Sequence, residues 1–120
     1  LERRLANAGV HANALHPGAI VTELARHLVP DDLTFLRARG GSGGMQFKMV
    51  EAGAATTVFA ATAPELEGRG GLYLEDCQVA AINDEPNAAA GVRSYALDPQ
   101  NAERLWAISE ELVGERFAAA

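Results

Sequence analysis

With 120 residues, 48% of them hydrophobic and 22% charged, the chain has the material for one small globular domain. Its net charge of −6, a single lysine (Lys48) among ten cationic residues and the lack of any basic run exclude a nucleic-acid surface. One cysteine, Cys77, excludes an intramolecular disulfide and suits a reducing compartment; no apolar run reaches the length of a membrane span and no signal-peptide pattern is present, so the expected location is cytoplasmic.

Leu1 to about Ala8 is rich in Ala, Leu and Arg and favours helix, with Gly9 as a left-handed cap. The chain starts with Leu rather than Met, inside this helical stretch and without a start signal. The simplest expectation is that an N-terminal part of a larger protein precedes it. The alternative is a processed or tagged complete small domain. Val10 to Leu15 follows as a short, small and apolar run. Helix, Gly cap and apolar run together form an αβ unit, the repeating piece of a parallel sheet.

Pro17-Gly18 breaks the strand, and Thr22 is placed to cap a helix from Glu23 to about Leu28. Val29-Pro30-Asp31-Asp32 is expected to interrupt, with Leu33 to Arg39 as another helical turn or two. Gly40-Gly41-Ser42-Gly43-Gly44 lacks P-loop spacing and follows no strand, so it reads as a linker. Met45 to Ala61 is the best-defined helix, with Phe47, Val50, Ala54, Val58 and Ala61 at three- and four-residue steps. Gly53-Ala54-Ala55 gives it a thin face, and Pro64 stops it.

After a turn from Glu65 to Gly71, Leu72-Tyr73-Leu74 reads as a brief strand ending at Glu75-Asp76-Cys77. Glu75-Asp76 is expected to be a solvated turn, and Cys77 a small buried apolar side chain. Residues 78 to 97 have no strong period. Asp98-Pro99 is a strong helix start, and the helix from Pro99 to Phe117 carries Ala102, Leu105, Trp106, Ile108, Leu112, Val113 and Phe117 at helical spacing. It reads as a terminal amphipathic helix with Trp106 as a packing anchor.

His11, His16 and His27 have no metal-ligand spacing, and Cys77 has no nearby partner, so no metal site is expected. His16 reads as a structural histidine at a strand end. The letters around Ser42 fit a nucleophile elbow, but without the strand before or the helix directly after, a hydrolase is poorly supported.

Two blocks carry a resemblance. The first is Arg3-Arg4-Leu5, Gly9-Val10-His11-Ala12-Asn13 and the corner Pro17-Gly18-x-Ile20-x-Thr22. The second is Glu51-Ala52-Gly53-Ala54-Ala55-Thr56-Thr57 with Ala60, Ala61, Pro64 and Gly70-Gly71-Leu72-Tyr73. Together they resemble the short-chain dehydrogenase/reductase family, most of all its retinol-dehydrogenase-like branch. The likeness covers residues 1 to about 80 well and the terminal helix loosely.

The resemblance implies an α/β fold: the C-terminal part of a Rossmann-type parallel sheet, with flanking helices and the terminal amphipathic helix at 98–117. The whole of 1–120 would be the C-terminal portion of a single oxidoreductase domain using NAD or NADP. By family analogy Pro17, Gly18, Ile20 and Thr22 bind the cofactor, with the Ile20 backbone and the Thr22 hydroxyl and amide on the nicotinamide carboxamide. In open parallel sheets ligands do bind beyond the carboxyl ends of the strands. Thr22 acting only as a cap, and Pro17-Gly18 only as a turn, is the bland alternative.

The family's Tyr-x-x-x-Lys pair is absent: Cys77 and Pro99 stand four residues after Tyr73 and Tyr95, and Gly44 stands four before Lys48. Asn7-Ala8-Gly9 matches a family string but sits at a helix end. No catalytic residue is therefore assigned, and the segment alone is expected to be inactive. The implied substrate is a small alcohol or carbonyl compound. The lid from about Glu23 to Gly44, with Leu24, Leu28, Leu33, Phe35 and Leu36, suggests that it is apolar. A homo-oligomer is compatible with this reading. The alternative is a non-catalytic truncated module that self-associates or binds a partner.

Overall fold

A computed structural model describes residues 1–20, 22–38 and 47–117. The Gly40–Gly44 linker, Met45 and Val21 lie outside the described residues, as does the Leu24 side chain. The first turn of helix, α1 (Glu2–Leu5), tightens into a 3₁₀ turn over Ala6–Ala8. Gly9 ends it at φ 73°, with its N–H on the Ala6 carbonyl. The chain then runs into β1 (Ala14–His16), turns at Pro17-Gly18 and continues as β2 (Ala19–Ile20). The strand is thus later and shorter than its apolar run suggests. It is also not buried: Ala14 and His16 are exposed and Leu15 half-buried.

Residues 23–27 form a 3₁₀ helix, and α2 spans Pro30–Ala38. Pro30 therefore begins a helix rather than interrupting one. Its fixed φ suits the first helical position, where no N–H partner is needed. The Asp32 carboxylate accepts the Val29 N–H at 3.1 Å, and the Val29 carbonyl takes Leu33 N–H at 3.2 Å.

Phe47–Lys48 is strand β3, not the start of the long helix, which is α3 (Val50–Thr62). Met49 between them is extended. Phe47 keeps helical spacing to Val50, but pairing with β2 overrides it. That pairing is parallel, Ala19 opposite Phe47 and Ile20 opposite Lys48. After α3 comes a 3₁₀ turn at Pro64–Leu66, then β4 (Tyr73–Glu75) and β5 (Gln78–Val79).

The fold is α/β. The three-stranded sheet has the order β1-β4-β5 and is mixed rather than wholly parallel. β1 and β4 run parallel, with Ala14 opposite Tyr73, Leu15 opposite Leu74 and His16 opposite Glu75. β5 returns antiparallel to β4, through a two-residue turn with Asp76 and Cys77 both at positive φ, 49° and 57°. This conformation lifts Cys77 outward, so its thiol is exposed and not a buried apolar filler. α3 packs against β1, β2 and β4. The core sits beneath it: Leu74 and Thr56 are fully buried, with Leu66, Ala80 and Val92 beside them.

Residues 80–93 are loop, as their lack of period suggests, and Ser94–Leu97 is a 3₁₀ turn; the loop is cross-tied. Asn83 N–H reaches the Val92 carbonyl, Arg93 donates to the Asn83 and Glu85 carbonyls, and Asp84 accepts the Ser94 N–H at 2.9 Å. Glu75 is held too, accepting the Gly91 N–H at 2.8 Å, so only Asp76 of that pair stands in a solvated turn.

The last helix, α4 (Pro99–Val113), starts at the expected cap: the Asp98 carboxylate accepts the Gln100 N–H at 2.7 Å. It ends four residues sooner than its apolar spacing suggests. Gly114 reverses the chain at φ 69°, which brings Phe117 N–H onto the Glu110 carboxylate at 2.9 Å. The Phe117 ring meets Trp106 edge-on at 6.5 Å, Arg4 lies over the Trp106 ring at 4.3 Å, and the indole N–H donates to Glu110. Trp106 is an anchor, but one bound by a cation and a carboxylate as much as by apolar area. Leu105 and Leu112 on this helix remain 66% and 81% exposed.

Candidate functional site

The corner after β1 is shaped by two close approaches. Gly53, on the thin face of α3, lies where an added Cβ would sit 2.5 Å from Ile20 Cγ1. A side chain at 53 would collide, so glycine lets Ile20 drive its side chain onto the helix. Gly18 has φ +92°, and a Cβ there would lie 2.9 Å from both Cδ and Cε of Lys48. The lysine stem thus fills the space that any side chain at 18 would need.

Lys48 is fixed from its other end. Its ammonium pairs with Asp76 at the tip of the β4–β5 turn. That turn is held from beneath by Thr56, whose hydroxyl accepts the Cys77 N–H at 3.3 Å. Of the sequence-predicted site residues, Pro17, Gly18 and Ile20 are half-buried and Thr22 is exposed, directly before the 3₁₀ turn at Glu23. His16 is exposed at the end of β1, opposite Glu75.

The opposite end of β1 is built differently. The Glu2 carboxylate accepts the Ala12 N–H at 2.8 Å and meets His11 Nδ1 at 3.0 Å. These partners, the Ala12 N–H first, hold its pKa below the usual carboxylate range. The Asn13 side-chain amide spans β4's approach, donating to the Arg69 carbonyl at 3.1 Å and accepting the Leu72 N–H at 2.9 Å. A cleft of about 730 Å³ opens here, lined in part by Glu2, Asn13, Tyr73, Leu97 and Asp98. It lies at the N-terminal ends of β1 and β4, away from the corner.

Sequence reasoning missed Lys48, Asp76, Thr56, Asn13 and Glu2. Their partners lie 9 to 59 residues away in the chain; Asn13 and Thr56 fall within the two resemblance blocks, but nothing local shows what they bond. Gly53 was noted for thinness but not for Ile20. Among the described residues no three His, Cys, Asp or Glu side chains gather as a metal site, and no helix is long and apolar enough to cross a membrane.

No protein-family model matches the chain. Curated proteins do. A short-chain dehydrogenase/reductase of Penicillium roqueforti is 38% identical over 117 residues, which is 94% of this chain and 33% of that protein. A probable oxidoreductase of Streptomyces lividans is 40% identical over 109 residues, 87% of this chain and 37% of that protein. The human WW domain-containing oxidoreductase is 38% identical over 120 residues, 99% of this chain and 25% of that protein. The chain thus spans a quarter to about a third of the relatives it matches. At 38–40% identity over 87–99% of its length, the chain is similar to proteins named as a short-chain dehydrogenase/reductase and as oxidoreductases.

Proposed function

We propose that residues 1–120 are the C-terminal portion of an NAD(P)-dependent short-chain oxidoreductase of the retinol-dehydrogenase-like branch, acting on an alcohol or carbonyl carbon. Their part is to hold the nicotinamide ring through Pro17, Gly18, Ile20 and Thr22. The observation that carries this is the corner itself. It leaves the carboxyl end of a strand in a parallel pair, where open α/β sheets take their ligands. It does so in a chain whose relatives are named as oxidoreductases.

The corner's residues fit a flat, amide-bearing ring. Gly18 has no side chain to crowd the turn, and Ile20 directs its bulk into α3. Thr22 is exposed and brings a hydroxyl and an amide. When bound, the nicotinamide supplies the carbon that gives or takes a hydride. The chain's own work is to orient that ring: the Ile20 main chain and Thr22 bond the carboxamide and so select a face. Proton transfer belongs to a Tyr-x-x-x-Lys pair outside 1–120. The segment 23–44 is the substrate-side lid, and its apolar residues suit an apolar substrate. β1 stands at the sheet edge, which supports reading it as one strand of a larger parallel sheet.

The test is kinetic. In the full-length protein, Thr22→Val should lower kcat/KM for the dinucleotide about tenfold, as expected for loss of a bond to a bound amide, while Thr22→Ser stays near wild type. A Thr22→Val enzyme with unchanged kcat/KM overturns the assignment. Residues 1–120 alone should transfer no hydride to a nicotinamide.

A further inference from the structure

We propose that Lys48 and Asp76 are positioning residues for the nicotinamide corner, their ion pair pinning the Lys48 stem over Gly18 and so fixing how the chain leaves β1 toward Thr22. The proposal rests on the nicotinamide reading above and assigns that site a support of its own. Three segments meet at one ammonium group. Lys48 sits on β3, opposite Ile20 in register, so its backbone is already beside the corner. Its side chain crosses back over Gly18, with Nζ 3.1 Å from where a Cβ would be. The ammonium then reaches Asp76.

The anchor at Asp76 is itself fastened. The neighbouring Cys77 N–H is bonded by Thr56, which is 1% exposed on α3. That helix also receives Ile20 at Gly53. The corner is therefore bracketed: α3 sets it from the Ile20 side, and the Lys48–Asp76 pair sets it from the Gly18 side. The chain has nine arginines and this one lysine.

The experiment compares two ligands on the full-length protein. One is the reduced dinucleotide that the wild type prefers; the other is ADP-ribose, which lacks the nicotinamide. Lys48→Met keeps the stem and removes the charge; Asp76→Asn removes the partner. The pair is partly solvated, with Lys48 and Asp76 side chains 31% and 63% exposed, so the effect is modest. Each variant should raise Kd for the dinucleotide about three- to fivefold and leave ADP-ribose affinity unchanged. The double variant should be no weaker than either single one, and Asp76→Glu should bind like wild type.

Equal losses for both ligands overturn the proposal, since they indicate a direct phosphate contact or general damage. Unchanged dinucleotide affinity in both single variants also overturns it. If the wild type binds ADP-ribose as tightly as the dinucleotide, the nicotinamide reading itself fails and the proposal falls with it; that outcome is read before any variant is made.

Discussion

The two ends of β1 are held by different physics. At its N-terminal end the grip is polar and directional: Glu2 on Ala12 N–H, Asn13 across Arg69 and Leu72, and the Gly71 N–H on the Ala12 carbonyl. Main-chain groups need partners, and here side chains provide most of them. At the C-terminal end close packing joins in, with Ile20 against Gly53 and the Lys48 stem against Gly18. The β2–β3 ladder adds main-chain pairing there, Ala19 opposite Phe47 and Ile20 opposite Lys48. The difference is one of reach: a hydrogen bond fixes one atom pair, whereas packing fixes the path of a whole segment.

The sharpest way to break this contrast is at Gly53. Gly53→Val places a branched side chain where even a Cβ would lie 2.5 Å from Ile20. Overpacking of this kind costs about 1–3 kcal/mol, more than the helix-propensity gain over glycine. Denaturant unfolding should show that loss, with dinucleotide affinity falling alongside it. Adding Ile20→Ala should relieve part of the strain. If stability drops while dinucleotide binding holds, the close-packed end does not shape the site.

A smaller effect is expected at the polar end. Asn13→Ala leaves the Leu72 N–H and Arg69 carbonyl without their side-chain partner, a cost of about 1 kcal/mol. It should lower Tm and leave the ratio of dinucleotide to ADP-ribose affinity untouched. A changed ratio would show that the two ends are not separable.

The mildest probe is pH. Glu2, Asp84 and Glu110 all titrate below their ordinary values because main-chain N–H groups, from Ala12, Ser94 and Phe117, bond their charged forms. Each folded pKa lies below its unfolded value, so each carboxylate stabilises the fold above the unfolded pKa. That contribution fades as pH falls from the ordinary carboxylate range down through the folded pKa. Glu2→Gln should therefore flatten the acid limb of a Tm-against-pH curve and leave neutral-pH dinucleotide binding unchanged. A limb of undiminished steepness would mean that Glu2 carries none of it.

What the sequence made legible follows the reach of its signals. Asp98-Pro99 and Gly9 announced their caps because a cap is written in two or three adjacent residues. Leu72-Tyr73-Leu74 and the α3 stretch were visible through local composition and spacing. The β2–β3 pair was not, because two-residue strands have no period, and Phe47 sat in step with a helix it does not join. Asp76-Cys77 carries none of the glycine that usually marks a turn with two positive φ angles, so Cys77 looked like core. At the candidate site, the corner's own letters were readable. Lys48 and Asp76 were not, since their pairing spans 28 residues and depends on where the fold brings them.

Trp106 is the one tryptophan of these 120 residues, and it touches Arg4 on α1 and Phe117 just after α4. Within residues 1–120 the indole therefore stands at a seam between α1 and the stretch just after α4. In residues 1–120, emission excited at the red edge of indole absorption, where Tyr73 and Tyr95 do not absorb, reads out whether Arg4 and Phe117 still flank the ring. Unfolding followed by this signal reports release of that seam, while circular dichroism follows the helices. Any gap between the two curves measures how independently the seam opens.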